Sequence, residues 1–161
     1  MKRIVVSVSS QQILVFDDDL LLARFAVSTA AKGMGCVVGS MRTPTGRFRV
    51  SEKIGDGEEV GTIFKARVAC GVWNKDEKSQ DDLILTRILR LEGMDPWNLN
   101  TVDRYIYIRG TNHESSIGNP ASHGCIRMSN SDMIALYELV DCGDRVEIYP
   151  GNEEGWEVYV W

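Results

Sequence analysis

Short apolar runs rich in Val, Ile, Leu and Phe, each broken by turn residues, recur along most of this chain and leave room for one substantial helix. Residues 4–8, 12–16 and 20–28 read as strands, the second and third joined by a turn at Asp17-Asp18-Asp19. Residues 32–46 are glycine-rich, include Pro44 and read as loop. A strand follows at 48–51, then a turn at Gly55-Asp56-Gly57, a strand pair within 63–72 and a polar loop over 74–82. Residues 83–91 fit two templates: Ile84, Leu85, Ile88, Leu89 and Leu91 lie on one helical face, and Thr86-Arg87-Ile88 also suits a two-sided strand. Residues 93–100, with Pro96, are loop, and 104–109 alternate aromatic, apolar and cationic side chains as the clearest strand. Ser129-Asn130-Ser131-Asp132 offers several N-caps for a helix over 133–140, which Gly143 closes before a last strand at 146–149. A chain of 161 residues is long enough for one domain with a full core and short for two. The expectation is a mostly β, sandwich-like fold of mixed sheets with one main helix, a single domain over 1–161 whose residues 150–161 form a tail.

A net charge of −5 with no Lys/Arg run argues against nucleic acid as a partner, because phosphate neutralisation needs basic patches. Lys2-Arg3 opens like an export signal, but the apolar Ile4-Val5-Val6 soon meets Ser7, Ser9, Ser10, Gln11 and Gln12, and then the aspartates. A signal needs an unbroken apolar stretch of about 7 to 15 residues and a membrane span about 20. The expected setting is therefore cytoplasmic with no membrane partner, or periplasmic if a leader has been trimmed.

The stretch Ser122-His123-Gly124-Cys125-Ile126-Arg127-Met128, preceded by the turn-forming Gly118-Asn119-Pro120, carries the chemistry. A thiol is a weak nucleophile until ionised, and an unperturbed cysteine has a pKa of about 8.5, so neighbours must favour the thiolate. His123 lies two residues before Cys125, and in an extended stretch both side chains lean the same way. Gly124 leaves room for substrate, and its N–H with that of Cys125 would suit an oxyanion hole. Arg127 adds a permanent positive charge that favours thiolate or holds a carboxylate.

Ser-His-Gly-Cys-Ile-Arg-Met resembles the signature of the L,D-transpeptidase catalytic domain, the YkuD-type family of peptidoglycan cysteine enzymes. Two further stretches match in chain order: Ser28-Thr29 followed by Thr43-Pro44-Thr45-Gly46-Arg47-Phe48, and Tyr107-Ile108 leading into Gly110-Thr111-Asn112. The resemblance spans residues 4–149, implies a YkuD-like β-sandwich with its main helix after the catalytic cysteine, and favours strand for 83–91. It also implies that Cys125 attacks the meso-diaminopimelate carbonyl of a peptidoglycan tetrapeptide or muropeptide, releases D-alanine and leaves a thioester. An amine acceptor makes a 3→3 cross-link or exchanges a D-amino acid, whereas water gives a tripeptide. With the cytoplasmic setting, the expected activity is an L,D-carboxypeptidase of peptidoglycan recycling.

The family's motif places its base histidine where this chain has Arg109. A guanidinium cannot take a proton from a thiol at neutral pH, though it can stabilise a thiolate as a cation. The base role then falls to His123, with His113 a close second that requires the Gly110-Thr111-Asn112 loop to fold back. Catalytic candidates are thus Cys125, His123 and His113; Gly124, Arg127, Arg109 and Ser122 are candidates for substrate binding or for stabilising oxyanion or thiolate. A muropeptide-binding module without turnover is the alternative if Arg109 abolishes proton transfer. His113, His123 and Cys125 match no standard zinc spacing, so neither metal nor organic cofactor is expected. Cys36, Cys70 and Cys142 read as small buried hydrophobes, and the aromatic stretch 156–161 as packing.

Overall fold

The computed structural model describes residues 1–76 and 81–151. Its strands are β1 (Lys2–Ser7), β2 (Gln12–Asp17), β3 (Leu20–Ala26), β4 (Gly46–Ile54), β5 (Thr62–Lys65), β6 (Val68–Val72), β7 (Ile84–Gly93), β8 (Tyr107–Thr111), β9 (Ile126–Met128) and β10 (Arg145–Tyr149). The one α-helix among the described residues, α1 (Asn130–Leu139), follows β9, and a 3-10 turn spans Glu114–Ser116. The fold is mostly β, with one helix after the cysteine, as expected.

All ten strands belong to one mixed sheet. Its path runs β3-β2-β1-β10-β4-β7-β5-β6, and β8 continues from the other edge of β7 to β9. The pairs β1·β10 and β8·β9 are parallel, and the rest are antiparallel. The chain immediately after β3 turns back onto β9. Ser28 and Arg127 exchange both backbone hydrogen bonds at 2.9 Å, Gly118 N–H donates to Val27 O (2.8 Å), and Ala31 N–H donates to Ser122 O (3.0 Å). This strap over residues 27–31 joins the β3 end of the sheet to the β9 end, so the layers of the sandwich are two sides of one closed sheet.

The main core lies between those layers and under α1, with Ile4, Val6, Phe48, Val50, Leu89, Leu91, Ile108, Ile126, Val146 and Ile148 among its members. A smaller cluster of Phe64, Ile88 and Tyr107 lies apart from it, and Cys125 packs against that cluster. β7 supplies both, Leu89 and Leu91 to the main core and Ile88 to the smaller one. A strand buried on both faces shows no alternation. A register shift between Leu85 and Ile88, where Thr86 takes φ +76°, further breaks the period, which is why 83–91 also fits a helical face. Thr86 Oγ1 anchors that bulge by donating to Asn130 Oδ1 (2.6 Å) and accepting from Gly61 N–H (3.0 Å).

Three boundaries differ from expectation. β8 begins at Tyr107 and runs through Gly110 and Thr111, because Tyr105 (φ +55°) belongs to a turn and Gly110 sits where a Cβ would meet Leu85 O at 2.5 Å. α1 starts at Asn130, capped by the Ser129 side chain, which accepts from Asp132 N–H. The helix ends at Leu139, and Gly143 (φ +92°) instead serves the turn into β10, donating its N–H to Val50 O (2.8 Å). Cys36 is buried, but Cys70 and Cys142 are exposed on a sheet edge and a turn, against the reading of all three as buried. The aromatic stretch 156–161 and residues 77–80 of the polar loop lie outside the described residues.

Candidate active site

Cys125 closes a loop held from three sides. Ser122 Oγ donates to Cys125 O (2.6 Å) and accepts from Gly124 N–H (3.2 Å), while Ser122 N–H donates to Thr29 O (2.9 Å). Thr43 Oγ1 donates to Gly124 O (2.9 Å) and accepts from Ala30 N–H (2.9 Å). Gln11 fixes Thr29 in turn, its Oε1 accepting from Thr29 N–H and its Nε2 donating to Thr29 Oγ1. Ser28-Thr29 and Thr43, far from Cys125 in sequence, are therefore the braces of its loop. Gly124 takes φ +130°, a conformation that favours glycine, and Ile106 Cδ1 lies 3.0 Å from where a Cβ would stand.

This geometry revises the expected roles within the loop. Residues 123–125 bend rather than extend, so the two-residue spacing of His123 and Cys125 does not align their side chains. Ser122 is buried and its hydroxyl serves the loop, and Gly124 N–H is engaged by that hydroxyl instead of facing an open oxyanion site.

The half-buried Cys125 Sγ lies 3.5 Å from Tyr105 O. Arg109 enters from β8, with its side chain only 3% exposed. Burial opposes the charge of this guanidinium, but its neighbours Cys125 and the Asp82 carboxylate outweigh it and hold Arg109 firmly protonated. Arg109 is thus a buried cation facing both groups and not a solvated strand end.

The residue that sequence reasoning missed is Asp82. Its Oδ2 accepts from Arg109 Nη2 (2.9 Å) and Arg127 Nη2 (3.0 Å), and His123 Nδ1 stands 3.9 Å from the same oxygen. Burial alone would raise the Asp82 pKa, yet the two guanidiniums prevail and hold it below the ordinary carboxylate range. One acid thereby gathers three of the expected site residues: Arg109, Arg127 and His123. Arg127 is 5% exposed and tied to Asp82 and to Ala121 O, so its charge braces the site from inside. His113 is placed elsewhere: its Nε2 lies 3.1 Å from Asp81 O, and beside it Asn112 donates to Asp81 O (2.8 Å) and accepts from Leu83 N–H (3.0 Å). These contacts pin the segment that carries Asp82 to the end of β8.

Two surface depressions are lined by neighbours of the cysteine. One, of about 370 Å³, is lined by Ala66, Arg67, Ile84, Tyr105 and Tyr107. The other, of about 290 Å³, includes Asp103, Arg104, Ile106 and His123. A thiol facing a buried guanidinium, on a loop whose histidine stands 3.9 Å from a carboxylate, brings together groups used in covalent catalysis. No group of metal-ligating side chains is found among the described residues.

The family model for the L,D-transpeptidase catalytic domain, YkuD, matches residues 1–148. The chain belongs to that family. Among its relatives, the YkuD protein of Bacillus licheniformis is 54% identical over 43 residues, which is 27% of this chain and 26% of that protein. The YqjB protein of Bacillus subtilis is 41% identical over 59 residues, 36% of this chain and 34% of that protein. A solved L,D-transpeptidase from Mycobacterium smegmatis superposes with a TM-score of 0.58 at 19% identity, covering 91% of this chain and 58% of that one. The aligned stretches thus span about a third or less of the curated relatives and under two thirds of the solved chain, and the structural match carries the L,D-transpeptidase fold.

Proposed function

We propose that this protein is a cysteine acyl-enzyme acting on the bond between meso-diaminopimelate and D-alanine in peptidoglycan tetrapeptides. The observation that carries the reading is Cys125 on a braced loop, facing the buried cation Arg109, with His123 held beside Asp82. Cys125 Sγ attacks the L-centre carbonyl, its proton passes to His123, and the same proton leaves with the D-alanine amine. Arg109 supplies the charge that steadies the thiolate, and the Asp82 carboxylate at Nδ1 favours the tautomer whose Nε2 is free to act as base.

Water is the favoured acceptor, making the protein an L,D-carboxypeptidase, in finer form one of cytoplasmic muropeptide recycling. Cys125 is only half buried and the His123 side chain is 67% exposed, so solvent reaches both partners of the deacylation step. A second reading, transfer to an amine, is favoured by the depression on the His123 side, where Asp103 offers a carboxylate to an ammonium acceptor.

Incubating the protein with the tetrapeptide, with and without an amine acceptor, and following products by mass spectrometry separates these readings. Tripeptide alone, absent with Cys125→Ala, supports hydrolysis. Cross-linked dimer or D-alanine exchange supports transfer. Binding without any turnover identifies a muropeptide-binding module.

A further inference from the structure

The depression on the Tyr107 side of the cysteine is built for a particular kind of side chain. It is lined by Tyr105, Tyr107 and the aliphatic Ile84, and Ile84, Tyr107 and Cys125 belong to one apolar cluster. Cys125 Sγ also lies 3.5 Å from Tyr105 O, so the sulfur neighbours two of the residues that line this depression. Its far rim is the turn of the β5–β6 hairpin, where Arg67 donates from Nη1 to Tyr107 Oη (3.2 Å) and lies with Cζ 5.9 Å from the centre of the Tyr105 ring.

Arg67 has no carboxylate within ion-pair distance among the described residues; Glu52, the acid whose field reaches it, is paired with Arg90 at 3.7 Å. The turn that presents it is costly. Lys65 pairs with Val68, so Ala66 and Arg67 are the two central residues, both at positive φ (+47° and +65°), in a turn that ordinarily selects Asn-Gly. Tyr105, the opposite wall, is also at positive φ (+55°). Strained non-glycine residues on both sides of one depression mark a place where side chains matter more than backbone ease.

We propose that this depression is the acyl-donor specificity site, taking an aliphatic side chain between Tyr105 and Tyr107 and binding its terminal carboxylate through Arg67. This rests on the reading of Cys125 as the acyl acceptor from a stem peptide. With the scissile carbonyl at Sγ, the side chain of the same residue enters the depression and its end reaches the guanidinium, which is the shape and charge of diaminopimelate with a free distal carboxylate. A donor with that carboxylate amidated offers Arg67 no charge, and lysine in its place brings an ammonium against it.

The test is calorimetric binding to the Cys125→Ala protein, which needs no turnover. Three tetrapeptides serve as probes: diaminopimelate with its distal carboxylate free, the same with it amidated, and a lysine analogue. The expected result is about 10- to 100-fold tighter binding of the free carboxylate than of the other two, the range of a charge-assisted hydrogen bond. Adding Arg67→Ala removes that preference, and Arg67→Lys restores part of it. Equal affinity for the three probes, a preference that survives Arg67→Ala, or no binding at all overturns the inference. Turnover by the unmodified protein is scored separately, so carboxylate-dependent binding without turnover would sink the catalytic reading and leave Arg67 only as the carboxylate contact of a binding site.

Discussion

At the scale of single residues the site turns on one carboxylate. Asp82 pairs with two arginines whose side chains are 3% and 5% exposed, and removing the shared acid of such a cluster leaves uncompensated buried charge. Asp82→Asn is expected to destabilise the fold at neutral pH by on the order of 3 kcal/mol, measured by urea denaturation. The sign with pH follows from its lowered pKa. Asp82 binds fewer protons in the folded state than in the unfolded, so its stabilisation is fully present above the unfolded value of about 3.9 and is lost as pH falls through the lower folded value. The stability gap between the original protein and Asp82→Asn should therefore close on acidification below about pH 4. In the proposed mechanism Asp82 also acts through His123, whose Nδ1 stands 3.9 Å from its carboxylate. Asp82→Asn should lower kcat roughly 10- to 100-fold and alter the pH dependence of kcat/KM, with Asp82→Glu recovering part; an unchanged pH profile would reduce Asp82 to a structural brace.

Nothing local in the sequence marks Asp82, an acid in a polar loop, as part of the site. The strand that carries Arg109 was legible, but only the structure shows that Arg109 is buried there, and a buried arginine requires an acid partner. Which of 23 acidic residues answers that demand is decided by the end of β8, where Asn112 and His113 fasten the preceding segment. His113, weighed as a base, belongs to that fastening.

At the scale of elements the β5–β6 hairpin shows backbone ease set against side-chain function. Replacing Ala66-Arg67 by Asn-Gly gives the turn the residues its positive φ angles favour. A gain of about 1 kcal/mol is expected, read as a rise in melting temperature of about 2–4 °C. The same protein should lose selectivity for the free diaminopimelate carboxylate, so stability and discrimination move in opposite directions. β7 explains why some elements resist sequence reading. Alternation identifies a strand with one wet face, and β7 is buried on both and interrupted by a bulge at Thr86. β2, whose buried and half-buried residues alternate, was legible at once. The beginning of β8 was misplaced because Tyr105 extends the aromatic alternation but lies in a turn.

At the scale of the whole molecule, the strap over residues 27–31 ties an early segment of the chain to the loop that carries Cys125, and β1 pairs with β10 across nearly the entire sequence. Contacts this distant must wait until most of the chain is in place, and such topologies fold slowly. The nucleophile is consequently finished last. During refolding from urea, fast reaction of Cys125 with a thiol probe should appear with the slowest phase of structure formation, after the β2–β3 and β5–β6 hairpins have formed. A chain still emerging from the ribosome carries an idle cysteine, and its loop is completed only when segments from both ends of the sequence have met.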